Sequence, residues 1–183
     1  NCFPYFCRTQ RLQISTCKDE IASVYGRHCT TVVNISNYPR KSDSIRDADL
    51  GVGRFVTLEK PTQIKDLIAK VKHHLNVSQL QLALSFDHSL DHYIKKIALV
   101  PGSGASVLLE ACGDAELFLT GEMSHHELLD ANHQNVTVIL AHHSNTERGF
   151  LRVMAQKLRS TFSTWPGTSI VVSDSDEDPL IVT

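Results

Sequence analysis

The segment "HHSNTERG" at residues 142–149 carries two adjacent histidines, a glutamate and an arginine, and it directly follows the apolar run "VTVIL" at 136–140. His143 offers a borderline imidazole nitrogen and Glu147 a hard carboxylate oxygen, a combination that suits zinc, iron or manganese. Ser144 and Glu147 also fit a capping box, in which each side chain satisfies the other's backbone N–H group at the start of a helix. The spacing alone supports metal ligation and helix capping equally.

The segment "TGEMSHHELLD" at 120–130 carries a second group of candidate site residues, Glu122, His125 and His126. The metalloprotease motif H-E-x-x-H is incomplete, because an aspartate stands where its second histidine belongs. Ser124 instead predicts the N-cap of a helix with the two histidines in its first turn. Protonated imidazoles are unfavourable beside the positive end of a helix, so we expect both histidines to be neutral and able either to line a metal site or to form hydrogen bonds.

The loop "PGSGAS" at 101–106 joins a predicted strand to a predicted helix and could bind an anion. Backbone N–H groups at the start of a helix form a ready anion site. The loop is not a dinucleotide-binding fingerprint, since Val107 replaces the third glycine, and not a P-loop, since no G-K-[ST] follows. A tight turn that needs glycine dihedrals is the competing interpretation. The candidate anion-binding residues are Gly102, Ser103, Gly104, Ser106 and Arg148.

Predicted strands and helices alternate from residue 51 onward, and they must position these loops. The segment "GRFVTLEKP" at 53–61 predicts a strand that Pro61 stops. The following segment, "TQIKDLIAKVKHHLN" at 62–76, has apolar residues at the i, i+3, i+4, i+7 spacing of one helical face. It therefore predicts an amphipathic helix, with Thr62 as its N-cap.

The remaining pattern predicts a helix at 145–162 and two closing strands at 168–174 and 178–182. The alternation predicts a three-layer α/β/α fold with a mixed, largely parallel sheet. We assign residues 51–183 to this α/β lobe and residues 1–50 to a poorly defined N-terminal segment. Because ligands bind beyond the carboxyl ends of the strands in such sheets, we expect the three polar loops at one edge.

The net charge, the apolar runs and the cysteine spacing argue against several classes of protein. The 183 residues carry a net charge of −2, which gives no electrostatic basis for direct nucleic-acid binding. No apolar run approaches the roughly 18–20 residues of a membrane span. The five cysteines lie at irregular spacing without a C-x-x-C pair. That pattern argues against a disulfide framework and for a reducing compartment.

Five segments resemble the Nif-three-like family, also called the GTP cyclohydrolase type-two-like family, and most closely its animal members. In order, they are "GVGRFVTLEKP", "IALVPGSGAS", "DAELFLTGEMSHHELLDA", "VTVILAHHSNTERGFL" and "DPLIV". The resemblance covers residues 51–183 and implies a two-lobed α/β protein, whose dimers build a ring-shaped hexamer and whose halves enclose a two-metal site. It implies that His143 and Glu147 are the second half's ligands. The first half's motif, adjacent histidines with an aspartate, has no match here, so the divalent metal pair (zinc, iron or manganese) would be incomplete.

The resemblance implies two functions from different classes. We favour a self-associating interaction and regulatory protein in transcriptional regulation, located in the cytoplasm and nucleus, because the ligand set is incomplete and the likeness is to animal members. Such a protein would form a homodimer or homohexamer and bind a protein partner. The alternative is a metal-dependent hydrolase-like enzyme of the GTP cyclohydrolase type-two-like kind, in which two metals activate a water and a missing N-terminal half completes the site. Enzymatic activity therefore stays an open question.

Overall fold

One six-stranded sheet organises the part of the chain that the structure, a computed structural model, describes: residues 29–35, 53–111, 113–176 and 178. Its strands are β1 (Cys29–Ile35), β2 (Gly53–Gln63), β3 (Gln81–Ala83), β4 (Tyr93–Ser103), β5 (Leu117–Glu122) and β6 (Thr137–Leu140). They lie across the sheet in the order β1-β2-β4-β5-β6-β3. The strand β1 comes from the predicted N-terminal segment, and it extends the sheet by pairing with β2.

The helices of the described residues are α1 (Ile64–Leu75), α2 (Ala105–Ala111), α3 (His125–His133), α4 (His143–Arg148) and α5 (Phe150–Thr161). The helix α1 forms where the apolar spacing predicts it, with Ile64 and Leu67 buried on one face. Its predicted N-cap is wrong. The N-cap is Gln63, because β2 continues through Thr62, whose hydroxyl donates to the Lys60 carbonyl.

The sheet is mixed, as predicted, but its parallel part is confined to the strands β4, β5 and β6. The pairs β4–β5 and β5–β6 are parallel, whereas β1–β2, β2–β4 and β3–β6 are antiparallel. A parallel pair needs a crossover connection, usually a helix. In the described residues α2 and α3 provide such crossovers for these two pairs, so the parallel share is smaller than the alternation of elements predicts.

Side chains alternate across the central strands and so build two cores. In β4, Ile97 and Leu99 face one side of the sheet, whereas Ala98 and Val100 face the other. The first core includes Ile64 and Leu67 of α1, and the second includes Leu108 of α2 and Ala131 of α3. Helices therefore cover both faces, which confirms the α/β class and the three layers.

The strand β2 runs through Pro61, so the prediction that this proline stops it is wrong. The register of the β2–β4 pair shifts between Thr57 and Thr62. Proline lacks the N–H group that a strand ladder needs, and it is tolerated in strands at such irregularities. Because Pro61 lies inside the shifted stretch, the strand continues to Gln63.

The predicted C-terminal elements differ from the structure in two respects. The predicted helix at 145–162 is two helices, α4 and α5, which Gly149 separates. The strand predicted at 168–174 does not form, and the Arg159 guanidinium donates to the Ile170 carbonyl of that segment instead. The last predicted strand, 178–182, lies outside the described residues apart from its first. Among the described residues, no helix is long and apolar enough to cross a membrane.

Candidate metal centre

The three polar loops meet at the edge of the sheet where the parallel strands β4, β5 and β6 end. These strands end at Ser103, Glu122 and Leu140. The chain after β6 turns at His142, whose φ of 64° is uncommon for a residue other than glycine, and α4 begins at the next residue. The turn places α4 against β4 and β5, so that His143 lies at the predicted edge.

His143 lies between two carboxylates. Its Nδ1 is 2.6 Å from Glu122 Oε1, and its Nε2 is 3.5 Å from Glu147 Oε2. An ionised carboxylate only accepts hydrogen bonds, so Nδ1 donates to Glu122. When the ring is neutral, the Nε2 lone pair then faces the Glu147 carboxylate. A proton or a cation between these two acceptor atoms would offset their mutual repulsion.

The two carboxylates differ in their surroundings. The Glu147 side chain is 14% exposed, against 57% for Glu122. Burial raises the pKa of the Glu147 carboxyl, because it disfavours the charged form; His143 opposes this shift and the charge of Glu122 adds to it. A cation bound between His143 and Glu147 would offset the cost of burying this carboxylate.

The capping-box interpretation of Glu147 is wrong. The N-cap of α4 is His142, without a side-chain cap, so Ser144 lies inside the helix. The capping box forms at α3 instead, where the predicted N-cap Ser124 is confirmed. There the Ser124 N–H donates to Glu127 Oε2 at 2.7 Å, and the Glu127 N–H donates to Ser124 Oγ at 3.4 Å. Capping therefore leaves the position of the Glu147 carboxylate unexplained.

Two glycines allow the backbone to approach this corner closely. Gly102 has a φ of +69°, and an added Cβ would lie 2.8 Å from Glu147 Oε1 and 3.1 Å from His143 Nε2. At Gly121 an added Cβ would lie 2.9 Å from the Cα of His143. Gly121 has no part in the motif-based prediction. The sequence feature that could have identified Gly121 is a glycine at the end of a buried strand, directly before Glu122.

Two backbone N–H groups of the glycine loop donate hydrogen bonds to side chains of the protein itself. The Gly102 N–H donates to Thr146 Oγ1 at 2.8 Å, and the Gly104 N–H donates to Thr120 Oγ1 at 3.2 Å. Thr120 Oγ1 in turn donates to the Gly102 carbonyl at 3.0 Å. These contacts favour the interpretation of the loop as a tight turn that is tied to β5 and α4.

The other predicted anion-binding groups are spread around this corner. The Arg148 guanidinium donates through Nε to Asp176 at 2.9 Å and through Nη1 to Asn145 at 3.1 Å. Ser103 and Ser106 are exposed. Anion binding at these residues stays a prediction, with Arg148 already engaged by an acidic side chain.

His125 and His126 lie in the exposed first turn of α3, as predicted. Their rings contact each other edge to face, with centroids 5.8 Å apart. They follow Glu122 closely in the chain, on the helix that starts where β5 ends. Their role in lining a metal site stays a prediction.

His143 and Glu147 fit one part of a metal site. Ligand atoms at about 2.0–2.2 Å from one ion lie about 3–3.5 Å apart, which matches the separation of His143 Nε2 and Glu147 Oε2. Glu122 occupies the other ring nitrogen, as an outer carboxylate does in many histidine–metal sites. Within the described ranges, no group of three or more His, Cys, Asp or Glu side chains could hold an ion by itself. The pair therefore needs further ligands.

Known proteins share this sequence pattern. The profile of Duf34/NIF3 (NGG1p interacting factor 3) matches residues 9–179. NIF3-like protein 1 of Homo sapiens is 44% identical over 132 residues, which are 72% of this chain and 34% of that protein. NGG1-interacting factor 3 of Saccharomyces cerevisiae is 40% identical over 135 residues, which are 73% of this chain and 46% of that protein.

A solved structure shares the fold. The Staphylococcus aureus protein SA1388 has a TM-score of 0.62 and 24% identity, over 74% of this chain and 38% of that chain. The chain spans 34% to 46% of the length of the two curated relatives described above. The matched profile covers most of the chain and confirms the predicted Nif-three-like resemblance. This chain belongs to the Duf34/NIF3 family.

Proposed function

We propose that this protein is a self-associating interaction and regulatory protein, whose described lobe contributes part of a divalent-metal site. The observation that carries the metal part is the convergence of Glu122, His143 and Glu147 where β5 ends and α4 begins. The interaction part is supported by the name of the yeast relative, NGG1-interacting factor 3, which is 40% identical over the matched residues.

The donor chemistry supports zinc, iron or manganese as the metal. One imidazole nitrogen and one carboxylate oxygen suit these ions. His143 Nε2 and Glu147 Oε2 would bind the ion, while Glu122 would hold the imidazole through Nδ1. Two side-chain ligands are too few for a closed site, so the remaining ligands would come from outside the described residues. The family resemblance implies a second lobe that supplies them.

Exposed aromatic side chains support association with other chains. Phe86 is 71% exposed, Trp165 62% and Tyr93 59%. Large aromatic side chains bury much area at interfaces, and exposed apolar surface favours association. We propose a homodimer or homohexamer, together with a protein partner, in the cytoplasm or nucleus. The role in transcriptional regulation rests on the family resemblance.

The second candidate function is a metal-dependent hydrolase-like activity. The observation that favours it is that the His143 side chain, at the proposed ligand position, is 42% exposed, so a small molecule can reach the corner. When bound, a metal pair would supply Lewis-acid chemistry and an activated water. Glu147 would bind through its carboxylate, and Gly102 would keep that carboxylate uncrowded. The described residues at this corner do not select a particular substrate.

Metal content of the natural full-length protein tests this proposal. The protein and two variants, His143→Ala and His74→Ala, are purified without chelators and examined by elemental analysis. His74 is an exposed histidine of α1 and serves as the matched control. We expect stoichiometric zinc, iron or manganese in the wild type and the control, and loss of metal from His143→Ala. Equal metal content in all three proteins would refute the metal part, and a full-length protein without metal would refute it as well.

A further inference from the structure

The contact between Glu122 and His143 joins two elements that lie far apart in the sequence. Glu122 is the last residue of β5, and His143 is the first residue of α4. The two side chains meet at 2.6 Å through Oε1 and Nδ1. We propose that Glu122 is a positioning residue that fixes the tautomer and the orientation of His143, so that Nε2 is the metal-binding atom. This inference rests on the proposed metal-binding function.

The direction of the hydrogen bond decides which ring nitrogen can bind a cation. A carboxylate has no proton to donate, so the Nδ1 of His143 must carry the hydrogen. A neutral imidazole has one N–H group, and its other nitrogen then presents a lone pair. That nitrogen, Nε2, is the one that lies 3.5 Å from Glu147 Oε2. Glu122 therefore presents the lone pair on the same side as the second ligand.

The backbone segments that carry Glu122 and His143 lie in close contact. Gly121, next to Glu122, is buried, and an added Cβ would lie 2.9 Å from the Cα of His143. The Ala141 N–H donates to the Thr120 carbonyl at 3.0 Å, which ties the end of β6 to β5. The two backbones are therefore in close contact beside the hydrogen bond between Glu122 and His143.

The exposure of the Glu122 side chain favours a role in positioning His143 over a role in stabilising the fold. Its side chain is 57% exposed, and surface pairs of this kind contribute little to folding stability. Outer carboxylates that orient a ligating histidine affect metal binding instead. Removing Glu122 should therefore leave the fold intact and change the state of His143.

Nitrogen-15 NMR of the metal-free chain tests the tautomer directly. At mildly alkaline pH, where imidazoles are neutral, we expect wild-type His143 to carry its hydrogen on Nδ1. In Glu122→Ala the acceptor is lost, and we expect the hydrogen to move to Nε2 in a large share of molecules. Glu122→Gln keeps a carbonyl acceptor and should keep the wild-type tautomer. The control Glu110→Ala removes an exposed carboxylate of α2 and should change nothing.

A zinc titration of the wild type and the same three variants, made in the natural full-length protein, gives the second measurement. Loss of an outer carboxylate typically weakens metal binding by about 10–100-fold, so we expect that loss in Glu122→Ala and a smaller one in Glu122→Gln. An unchanged His143 tautomer, or equal zinc affinity in wild type and Glu122→Ala, would overturn the positioning role. A full-length wild type that binds no zinc would count against the proposed metal site, and the NMR comparison would then decide the role of Glu122 by itself.

Discussion

Gly102 and Glu147 are so close that no side chain fits between them: a Cβ on Gly102 would lie 2.8 Å from Glu147 Oε1. The same added atom would lie 3.1 Å from His143 Nε2. The absence of a side chain at Gly102 therefore leaves space for the side chains of the proposed ligands, His143 and Glu147. A φ of +69° at Gly102 adds a second reason for glycine at this position.

Gly102→Ala should destabilise the protein for both reasons. The dihedral alone costs about 1–2 kcal/mol for a residue with a Cβ. The contact with Glu147 should add to this cost. Gly167→Ala is the matched control, because Gly167 has a φ of +75° and nothing within 4 Å of an added Cβ. Denaturant unfolding should show a larger loss for Gly102→Ala, and equal losses would contradict the close approach.

Gly104→Val should also lower the free energy of unfolding, but through crowding. Gly104 has no positive φ, yet an added Cβ would lie 2.6 Å from the Val100 Cβ and 2.7 Å from Thr120 Oγ1. Overpacking of this kind costs about 1–3 kcal/mol. Gly113→Val is the control, because an added Cβ there meets nothing within 4 Å. If the melting temperature falls no further in Gly104→Val than in the control, the loop can shift to accommodate the side chain, and the predicted crowding is wrong.

The loop before β4 should make stability depend on pH. The pKa of His88 is lowered from 6.5, first by burial and then by the charge of His92, whose ring stacks on it with centroids 3.9 Å apart. Between the lowered pKa and 6.5 the folded state binds fewer protons than the unfolded state. Stability is therefore fully present above 6.5 and is lost as pH falls through this window.

His88→Asn removes this titration, so its unfolding free energy should fall less steeply below neutral pH. It should also be less stable at neutral pH, because His88 Nδ1 lies 2.9 Å from Thr137 Oγ1. His74→Asn, at an exposed position of α1, should keep the wild-type slope. Urea unfolding at a series of pH values is the measurement, and a wild-type slope in His88→Asn would contradict the assignment.

Self-association should depend on exposed aromatic side chains. We expect the chain to form dimers or larger assemblies at micromolar concentration in sedimentation velocity. Phe86→Ser and Trp165→Ser remove the two aromatic rings that are most exposed among the described residues, and at least one should shift the equilibrium toward the monomer. A strictly monomeric, well-folded wild type at that concentration would rule out self-association of this chain.

Much of the proposed site follows from the sequence because it depends on local spacing. His143 and Glu147 are four residues apart, so a helix brings them to one face. Parallel strands that end in polar loops place those loops at one edge of the sheet, which brings Glu122 to the same corner. The contact between Glu122 and His143 could not be predicted in this way, because it depends on the close backbone approach at Gly121.

The wrong predictions share a cause, since each depends on tertiary context that a short pattern does not contain. The S-x-x-E pattern occurs twice, at Ser124 and at Ser144, and the turn at His142 leaves only the first as a cap. The sequence predicts that Pro61 ends a strand, but the shifted register of β2 accommodates it. The composition of residues 168–174 predicts a strand, but this segment has no partner strand among the described residues.

The coupling between His143 and Glu147 tests the central claim most directly. Zinc dissociation constants are measured for the natural full-length protein, His143→Ala, Glu147→Gln and the double variant, with unfolding midpoints as a check on folding. If both residues bind one ion, the losses should be strongly non-additive, because one remaining ligand of the pair cannot hold the ion. We expect each single variant to lose nearly as much affinity as the double variant. Unchanged affinity in all three variants would contradict the account.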